Sequence, residues 1–276
     1  MSDSSTPHRD ATLLIWVLAA LVILVPLALW GNLRDYTLAP KLLILQIALV
    51  FLMGSWLIGT PSTIYLSSAT LPAVCFLFVS TVSLLQATDP VAGLLEGTKL
   101  LSGFGIFLVV ANRLHRTHIP VVLMAITSTG LLISLLGIAQ YLGWQPFKLP
   151  SAGLPSATLG FRNIAAMYLI QTIPFGLALL ALARSTHQAW FGALTTGLMA
   201  VFLIYTRTRG AWLGLMTGLL LTSVLLFATR SKAGSLPFQN KGLQIGVALA
   251  LVFALTLIPL GVKKSGPQSI DEKKSD

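Results

Sequence analysis

Apolar stretches of membrane-spanning length follow one another along almost the whole chain, separated by short polar connections. A hydrocarbon core about 30 Å thick requires roughly 20 apolar residues per spanning helix, and about nine stretches meet this requirement. The predicted spans are residues 11–30, 39–59, 69–86, 94–112, 120–142, 163–183, 189–205, 210–228 and 243–262. The pattern therefore predicts a chain that crosses a membrane many times.

Helices are the predicted form of these spans. Lipid cannot hydrogen-bond to free backbone groups, so only helices and closed barrels cross it. Barrel strands would alternate in polarity over segments of about 10 residues, whereas runs such as LQIGVALALVFALTLIPL do not alternate. The first span lacks a small-x-small cleavage pattern at its end, LALWGNL, and is expected to be retained. The predicted fold is all-α: a polytopic integral membrane helical bundle over residues 1–262.

Composition supports this fold and excludes a soluble domain. Hydrophobic residues make up 55% of the 276 and charged residues only 9%, with a mean hydropathy of +0.84. The formal net charge of +10 could suggest nucleic acid, but the basic residues are scattered one or two per connection. Lys and Arg at helix ends explain this scatter. We therefore expect membrane lipids as partners and no nucleic acid.

Orientation is not decided by charge alone. With nine spans and a cytoplasmic N-terminus, seven basic residues fall on each side before the tail, which adds four lysines. The inner set is Arg9, Arg113, Arg116, Arg184, Arg230, Lys232 and Lys241. The outer set is Arg34, Lys41, Lys99, Lys148, Arg162, Arg207 and Arg209. The rule that Lys and Arg are more frequent on the cytoplasmic side would decide the orientation if several outer residues served a purpose other than topology.

Arginines and glycines mark two connections on the predicted outer face. Residues 143–162 contain three glycines, three prolines and two basic residues, which favours a segment folded back against the bundle, with an ordinary exposed loop as the alternative. Residues 206–212, TRTRGAW, are so few that Arg207 or Arg209 must lie at or inside the interface. A guanidinium there costs several kcal/mol unless an anion or a carboxylate meets it. The alternative is that the arginines reach lipid phosphates.

Two further polar groups fall on the same predicted face. Pro40 and Lys41 open the second span, and Lys41 could be an interface anchor. Asp89, Glu96 and Lys99 precede or open the fourth span, and the spacing of three between Glu96 and Lys99 favours a local ion pair. The coincidence of all four groups on one face predicts a functional site there.

The chemistry of these groups favours an anionic ligand. Arginine forks match phosphate oxygens bidentately, so a lipid-linked phosphate or diphosphate fits a basic cluster at a membrane surface. The sequence shows no His or Cys pair at metal spacing, no phosphate-binding loop and no Ser-His-Asp arrangement. We predict no metal and no cofactor. No general base is visible, and the catalytic residues stay unknown.

Two segments resemble a known family. Residues 156–169, SATLGFRNIAAMYL, followed by Pro174, are similar to a G-x-x-N-x-x-A-x-Y-L-x-x-x-x-P pattern, and residues 206–213, TRTRGAWL, to a T/S-R-G-A-W stretch. Both patterns belong to the O-antigen ligases and O-antigen polymerases, bacterial polytopic membrane glycosyltransferases. Residues 139–143, AQYLG, and Pro40-Lys41 are also similar. The resemblance covers nearly the whole chain through short, degenerate motifs.

The resemblance implies an enzyme of the bacterial inner membrane that needs no metal. Its donor would be a glycan linked to undecaprenyl diphosphate, and its acceptor lipid A-core or another glycan, joined at the periplasmic face in cell-envelope polysaccharide biosynthesis. Arg209 would stabilise the diphosphate leaving group, with Arg207, Arg162 and Lys41 as helpers. Setting these four residues aside leaves seven basic residues inside and three outside, before the tail.

The chain departs from the family at its end. Members usually continue with a large periplasmic loop that carries a histidine proposed as the general base. Here residues 263–276 form a polar, charged tail, and the four histidines are expected on the cytoplasmic side. We therefore expect a truncated member in which the tail begins the missing loop. Ligation and polymerisation stay open, and a membrane transporter or carrier of a small or lipid-linked anion is the alternative function.

Overall fold

A computed structural model describes residues 6–30, 37–58, 66–84, 86–144 and 155–233, together with six positions between 242 and 252. All regular structure within these residues is helical. The α-helices are α1 (Thr6–Leu27), α2 (Leu38–Ile58), α3 (Thr70–Leu84), α4 (Pro90–Arg113), α5 (Ile119–Tyr141), α6 (Arg162–Leu182), α7 (Thr186–Tyr205) and α8 (Arg209–Ala233). Short 3₁₀ turns lie at Arg116–His118 and Ala157–Leu159.

Several of these helices could cross a membrane. Five are long and apolar enough, namely α2, α4, α5, α6 and α7, and shorter apolar stretches lie in α1, α3 and α8. The all-α prediction is confirmed for the described residues, and the helices fit a multi-pass membrane protein. Nine spans are not confirmed, because eight α-helices are described and most of the predicted span at 243–262 lies outside the described residues. The predicted tail at 263–276 also lies outside them.

The chain divides into two compact units, Met1–Thr129 and Gly130–Asp276, with the division inside α5. In the first unit, α2 packs against α1 and α4, and α3 packs against α4. The core of that unit is a cluster of apolar side chains from α1, α2 and α4. Its buried members are Leu14, Leu18, Leu52, Trp56 and Val109.

Local signals explain where α4 and α7 begin. Asp89 caps α4, its carboxylate accepting from the N–H groups of Val91 and Ala92 at 3.0 and 3.1 Å, with Pro90 in the first turn. The Ser185 hydroxyl accepts from the N–H of Gln188 at 3.3 Å at the start of α7. The side-chain oxygen of Gln188 in turn accepts from the N–H of Arg184 at 3.1 Å. This reciprocal pair is a variant of the capping box.

Glycines allow the helices of the second unit to approach closely. The pair α6–α7 is the most extensive helix contact, and a Cβ at Gly192 of α7 would lie only 3.0 Å from the backbone nitrogen of Leu180 in α6. A Cβ at Gly137 in α5 would collide with the ring of Phe202, which is fully buried. Small residues at such crossings are typical of helices packed within membranes. The result is close packing among α5, α6 and α7.

Candidate functional site

Four helix ends meet at one end of the second unit, which we call the arginine end. It comprises the C-terminal ends of α5 and α7, the N-terminal ends of α6 and α8, and the turn at 155–160. The rings of Tyr141 in α5 and Tyr205 in α7 stack with centroids 4.0 Å apart. The hydroxyl of Thr208 donates to the side-chain oxygen of Asn163 at 3.4 Å, a long hydrogen bond that joins the α7–α8 connection to the start of α6.

The turn at 155–160 is buried and is held by α5. All six of its residues are buried, which agrees with the expectation that this connection folds back against the bundle. The side-chain oxygen of Gln140 accepts from the N–H groups of Ser156 and Ala157 at 2.9 and 3.0 Å. Ala157 and Gly160 have left-handed φ angles of 49° and 83°. The predicted connection at 143–162 is otherwise described only at its two ends, since residues 145–154 lie outside the described part.

The connection between α7 and α8 is as tight as the sequence predicted. Thr206 is fully buried and its hydroxyl donates to the carbonyl of Leu203 at 2.7 Å, while Arg207 adopts a left-handed φ of 54°. The indole N–H of Trp212 donates to the same carbonyl at 3.2 Å and ties the first turn of α8 to α7. The three residues 206–208 therefore reverse the chain within one fixed turn.

All three predicted arginines lie at the arginine end. Arg162 is the first residue of α6, Arg209 is the first residue of α8, and Arg207 lies in the turn before it. All three are exposed, and none forms an ion pair within the described part of the chain. The sequence offers them no nearby partner, because it contains no Asp or Glu between Glu96 and Asp271.

The helix termini add to the positive potential of this end. Phe161 precedes α6 and supplies no side-chain hydrogen bond to its first turn. The free N–H groups of a helix start carry partial positive charge and bind anions. Arginine forks beside such a start suit a phosphate group. The arginine end is therefore a surface on which positive charge is concentrated and which no described carboxylate neutralises.

Lys41, the fourth predicted binding residue, belongs to the first unit. It lies in the first turn of α2, is half-buried and takes part in an interaction within the protein. Its predicted role in binding stays a prediction. Arg34 and Lys148, two other basic residues of the predicted outer face, lie outside the described residues.

The polar group at the start of α4 has a local explanation. Lys99 donates a hydrogen bond to the carboxylate of Glu96 and pairs with it as an ion, and Asp89 serves as the helix cap. These three residues therefore satisfy one another or the helix backbone, as the spacing of Glu96 and Lys99 indicated. Among the described residues there is also no group of three or more His, Cys, Asp or Glu that could hold a metal.

Gln140 is the residue of this end whose role the sequence did not reveal. In the sequence it stands out only as part of the AQYLG motif. The available signal was its polarity near the end of an apolar helix, since a glutamine buried in a membrane-spanning segment needs hydrogen-bond partners. Its amide nitrogen and the hydroxyl of Ser156 are buried without a partner among the described residues.

Comparison with known proteins identifies no similar protein. No protein-family model, no curated protein and no solved structure matches the chain.

Proposed function

We propose that this protein is an O-antigen ligase or polymerase-like membrane protein, which transfers or polymerises a lipid-diphosphate-linked glycan at the periplasmic face of a bacterial inner membrane. One observation carries the proposal: three guanidinium groups lie at one end of the second unit, in a chain with no Asp or Glu between residues 96 and 271. Such a cluster is suited to an anionic ligand. A membrane-anchored diphosphate supplies one at the height of the helix ends.

The proposed chemistry is stabilisation of a leaving group. When the glycan leaves undecaprenyl diphosphate, negative charge grows on the diphosphate oxygen that was bonded to the sugar. Arg209, with Arg207 and Arg162 at the same end of the second unit, donates hydrogen bonds to that charge. Fixed donors aimed at developing charge are the largest single contribution to many enzymatic rates. The acceptor is lipid A-core or another glycan, and the group that removes its proton is not assigned.

Support comes from the sequence and the geometry together. The motifs at 156–169 and 206–213 resemble the family, and the Asn163–Thr208 hydrogen bond joins these two segments at 3.4 Å. Two motifs whose bonded residues lie 45 positions apart in the chain thus contribute to one surface. A shared surface is expected if both contact the same ligand.

The test replaces Arg209 in the native host. Arg209→Ala is expected to abolish the attachment of surface glycan, seen as loss of the ladder on a gel of extracted glycolipid, while the protein still inserts into the membrane. Arg184→Ala is the matched control, because Arg184 is an exposed arginine in the α6–α7 connection. It is expected to leave the ladder intact.

Two results would contradict the proposal. An unchanged ladder in the inserted Arg209→Ala protein would show that this arginine is not needed for transfer. Flux of diphosphate across proteoliposomes that contain no acceptor would favour the anion carrier instead.

A further inference from the structure

Gln140 fixes the path of the turn that leads into the arginine end. Its side-chain oxygen accepts two backbone hydrogen bonds, from Ser156 at 2.9 Å and from Ala157 at 3.0 Å. Gln140 is only 7% exposed and Ser156 is fully buried. Water therefore has no access to replace these bonds, and a turn that moved away from Gln140 would leave two buried N–H groups unpaired.

The turn is strained and needs such a restraint. Ala157 has a φ of 49°, a left-handed conformation in which the Cβ of any residue other than glycine crowds the following carbonyl. Strained backbone persists only where surrounding contacts hold it. The hydrogen bond from the N–H of Ala157 to Gln140 acts directly at the strained residue.

The restraint is transmitted to the first turn of α6. Residues 157–159 pack against α6, and only Gly160 and Phe161 separate them from Arg162. Asn163, the next residue, meets Thr208 of the α7–α8 connection. A change in the path of the turn therefore changes where Arg162 stands relative to Arg207 and Arg209.

We propose that Gln140 is a positioning residue, which acts through the turn at 155–160 to hold Arg162 and the start of α6 in the geometry that binds a diphosphate. The identity of the anion rests on the proposed function; the mechanical role of Gln140 does not. Gln140 does not touch the ligand in this arrangement. Because Gln140 acts only through the turn, a substitution that relieves the backbone strain at Ala157 is expected to compensate in part for the loss of Gln140.

The first experiment measures amide hydrogen exchange in the purified, detergent-solubilised full chain. Gln140→Leu is expected to accelerate exchange over residues 156–165 and to leave the interior of α7 protected. Gln140→Asn, which keeps the amide but is one methylene shorter, is expected to act in the same direction and serves if the leucine variant does not fold. Gln171→Leu is the control, because Gln171 is an exposed glutamine of α6. Unchanged exchange over 156–165 in both Gln140 variants would overturn the inference.

The second experiment measures binding of inorganic diphosphate by titration calorimetry at fixed salt. Gln140→Leu is expected to weaken binding by about tenfold, the equivalent of roughly one net hydrogen bond. Adding Ala157→Gly is expected to recover part of that affinity, whereas adding it to Arg162→Ala recovers nothing. A purely structural defect would lower the bound fraction rather than the affinity.

The outcomes separate the two proposals. Wild-type affinity in Gln140→Leu, or no recovery in the double variant, would overturn the positioning role. If the wild-type protein binds no diphosphate, the proposed function fails, and the exchange experiment alone decides whether Gln140 holds the start of α6. Faster exchange would uphold that role and unchanged exchange would reject it.

Discussion

The two units differ in how tightly their helices are packed. In the most apolar stretches of α2 and α4, which belong to the first unit, 11% and 17% of the residues are buried inside the protein. In α6 and α7, which belong to the second unit, the shares are 44% and 56%. Side chains at the ends of closely packed helices hold their geometry better than those on loosely packed ones. The α6–α7 pair of the second unit is therefore the better scaffold for a site.

The units also differ in how their charges are satisfied. In the first unit, Lys99 is neutralised by Glu96 three residues earlier on the same helix. In the second unit, Arg162, Arg207 and Arg209 have no ion pair within the described residues. A cation with its own carboxylate needs no ligand, whereas a group of cations without one attracts an anion. This contrast separates a charge that is paired within the protein from charges that no described residue pairs.

The largest expected effect is a loss of diphosphate binding when the unpaired arginines of the arginine end are replaced. Replacing Arg162, Arg207 and Arg209 together by glutamine is expected to abolish measurable binding of inorganic diphosphate, because each charge-assisted hydrogen bond contributes about 1.5–3 kcal/mol. Lys99→Gln is the matched control, and its affinity is expected to stay within about twofold of wild type, because Glu96 already engages this lysine. Titration calorimetry checks both. An equal loss from the two changes would remove the distinction between paired and unpaired cations.

A smaller effect is expected from packing. Gly137→Ala in α5 places a Cβ against the buried ring of Phe202 and is expected to destabilise the protein by about 1–3 kcal/mol. Gly54→Ala in α2 meets no atom within 4 Å, and alanine favours a helix over glycine by up to about 1 kcal/mol. Unfolding in detergent, followed by circular dichroism, compares the two. Equal stabilities would show that the second unit is not the more tightly packed.

A hydrogen bond between α8 and α7 allows a further comparison of the stability of the two units. Trp212→Phe removes the donor to the carbonyl of Leu203 but keeps an aromatic ring. The expected cost is about 0.5–1.5 kcal/mol in the free energy of unfolding. Protection of backbone amides against hydrogen exchange should be lost first in the first turn of α8. Trp16→Phe in α1 is the control, since Trp16 is 67% exposed and should tolerate the change. A greater loss in the Trp16 variant would contradict the assignment.

The smallest effect is expected at the paired charges of the first unit. Glu96→Gln breaks the ion pair with Lys99. The side chain of Glu96 is 67% exposed and that of Lys99 is 25% exposed. An exposed pair three residues apart on a helix contributes about 0.2–0.5 kcal/mol. The difference from wild type in unfolding should shrink further as salt rises, because salt screens exposed charges. A loss of several kcal/mol would mean that the pair has a deeper role than local neutralisation.

The helices were largely predictable from the sequence, because lipid demands long apolar runs. The predicted span at 120–142 corresponds to α5, Ile119–Tyr141. The start of α4 was less accurate: the span was predicted from residue 94, whereas the helix begins at Pro90. Asp89 caps the helix and Pro90 occupies its first turn, and neither signal appears in a hydropathy pattern. Hydropathy locates spans, but caps determine where helices begin.

The arginine end was only half predictable. The meeting of Arg162 with Arg207 and Arg209 followed from counting spans, since successive helices run in opposite directions. The Gln140–Ser156 contact could not be found that way, because a side chain that bonds to a backbone 16 residues away leaves no periodic pattern. The left-handed Ala157 was equally hidden, since such positions usually carry glycine. Lys41 lies in the other unit, and its part in binding stays a prediction.

The three-residue connection at 206–208 has consequences for assembly in the membrane. In the proposed nine-span topology, a connection this short lets α7 and α8 enter the bilayer only as a hairpin, so Arg207 and Arg209 travel with its tip. On the proposed outer face, each positive charge must be moved against an inside-negative potential, at about 2.3 kcal/mol per 100 mV. Two charges therefore oppose translocation by about 5 kcal/mol at 100 mV. The insertion of this hairpin should accordingly be faster in de-energised vesicles.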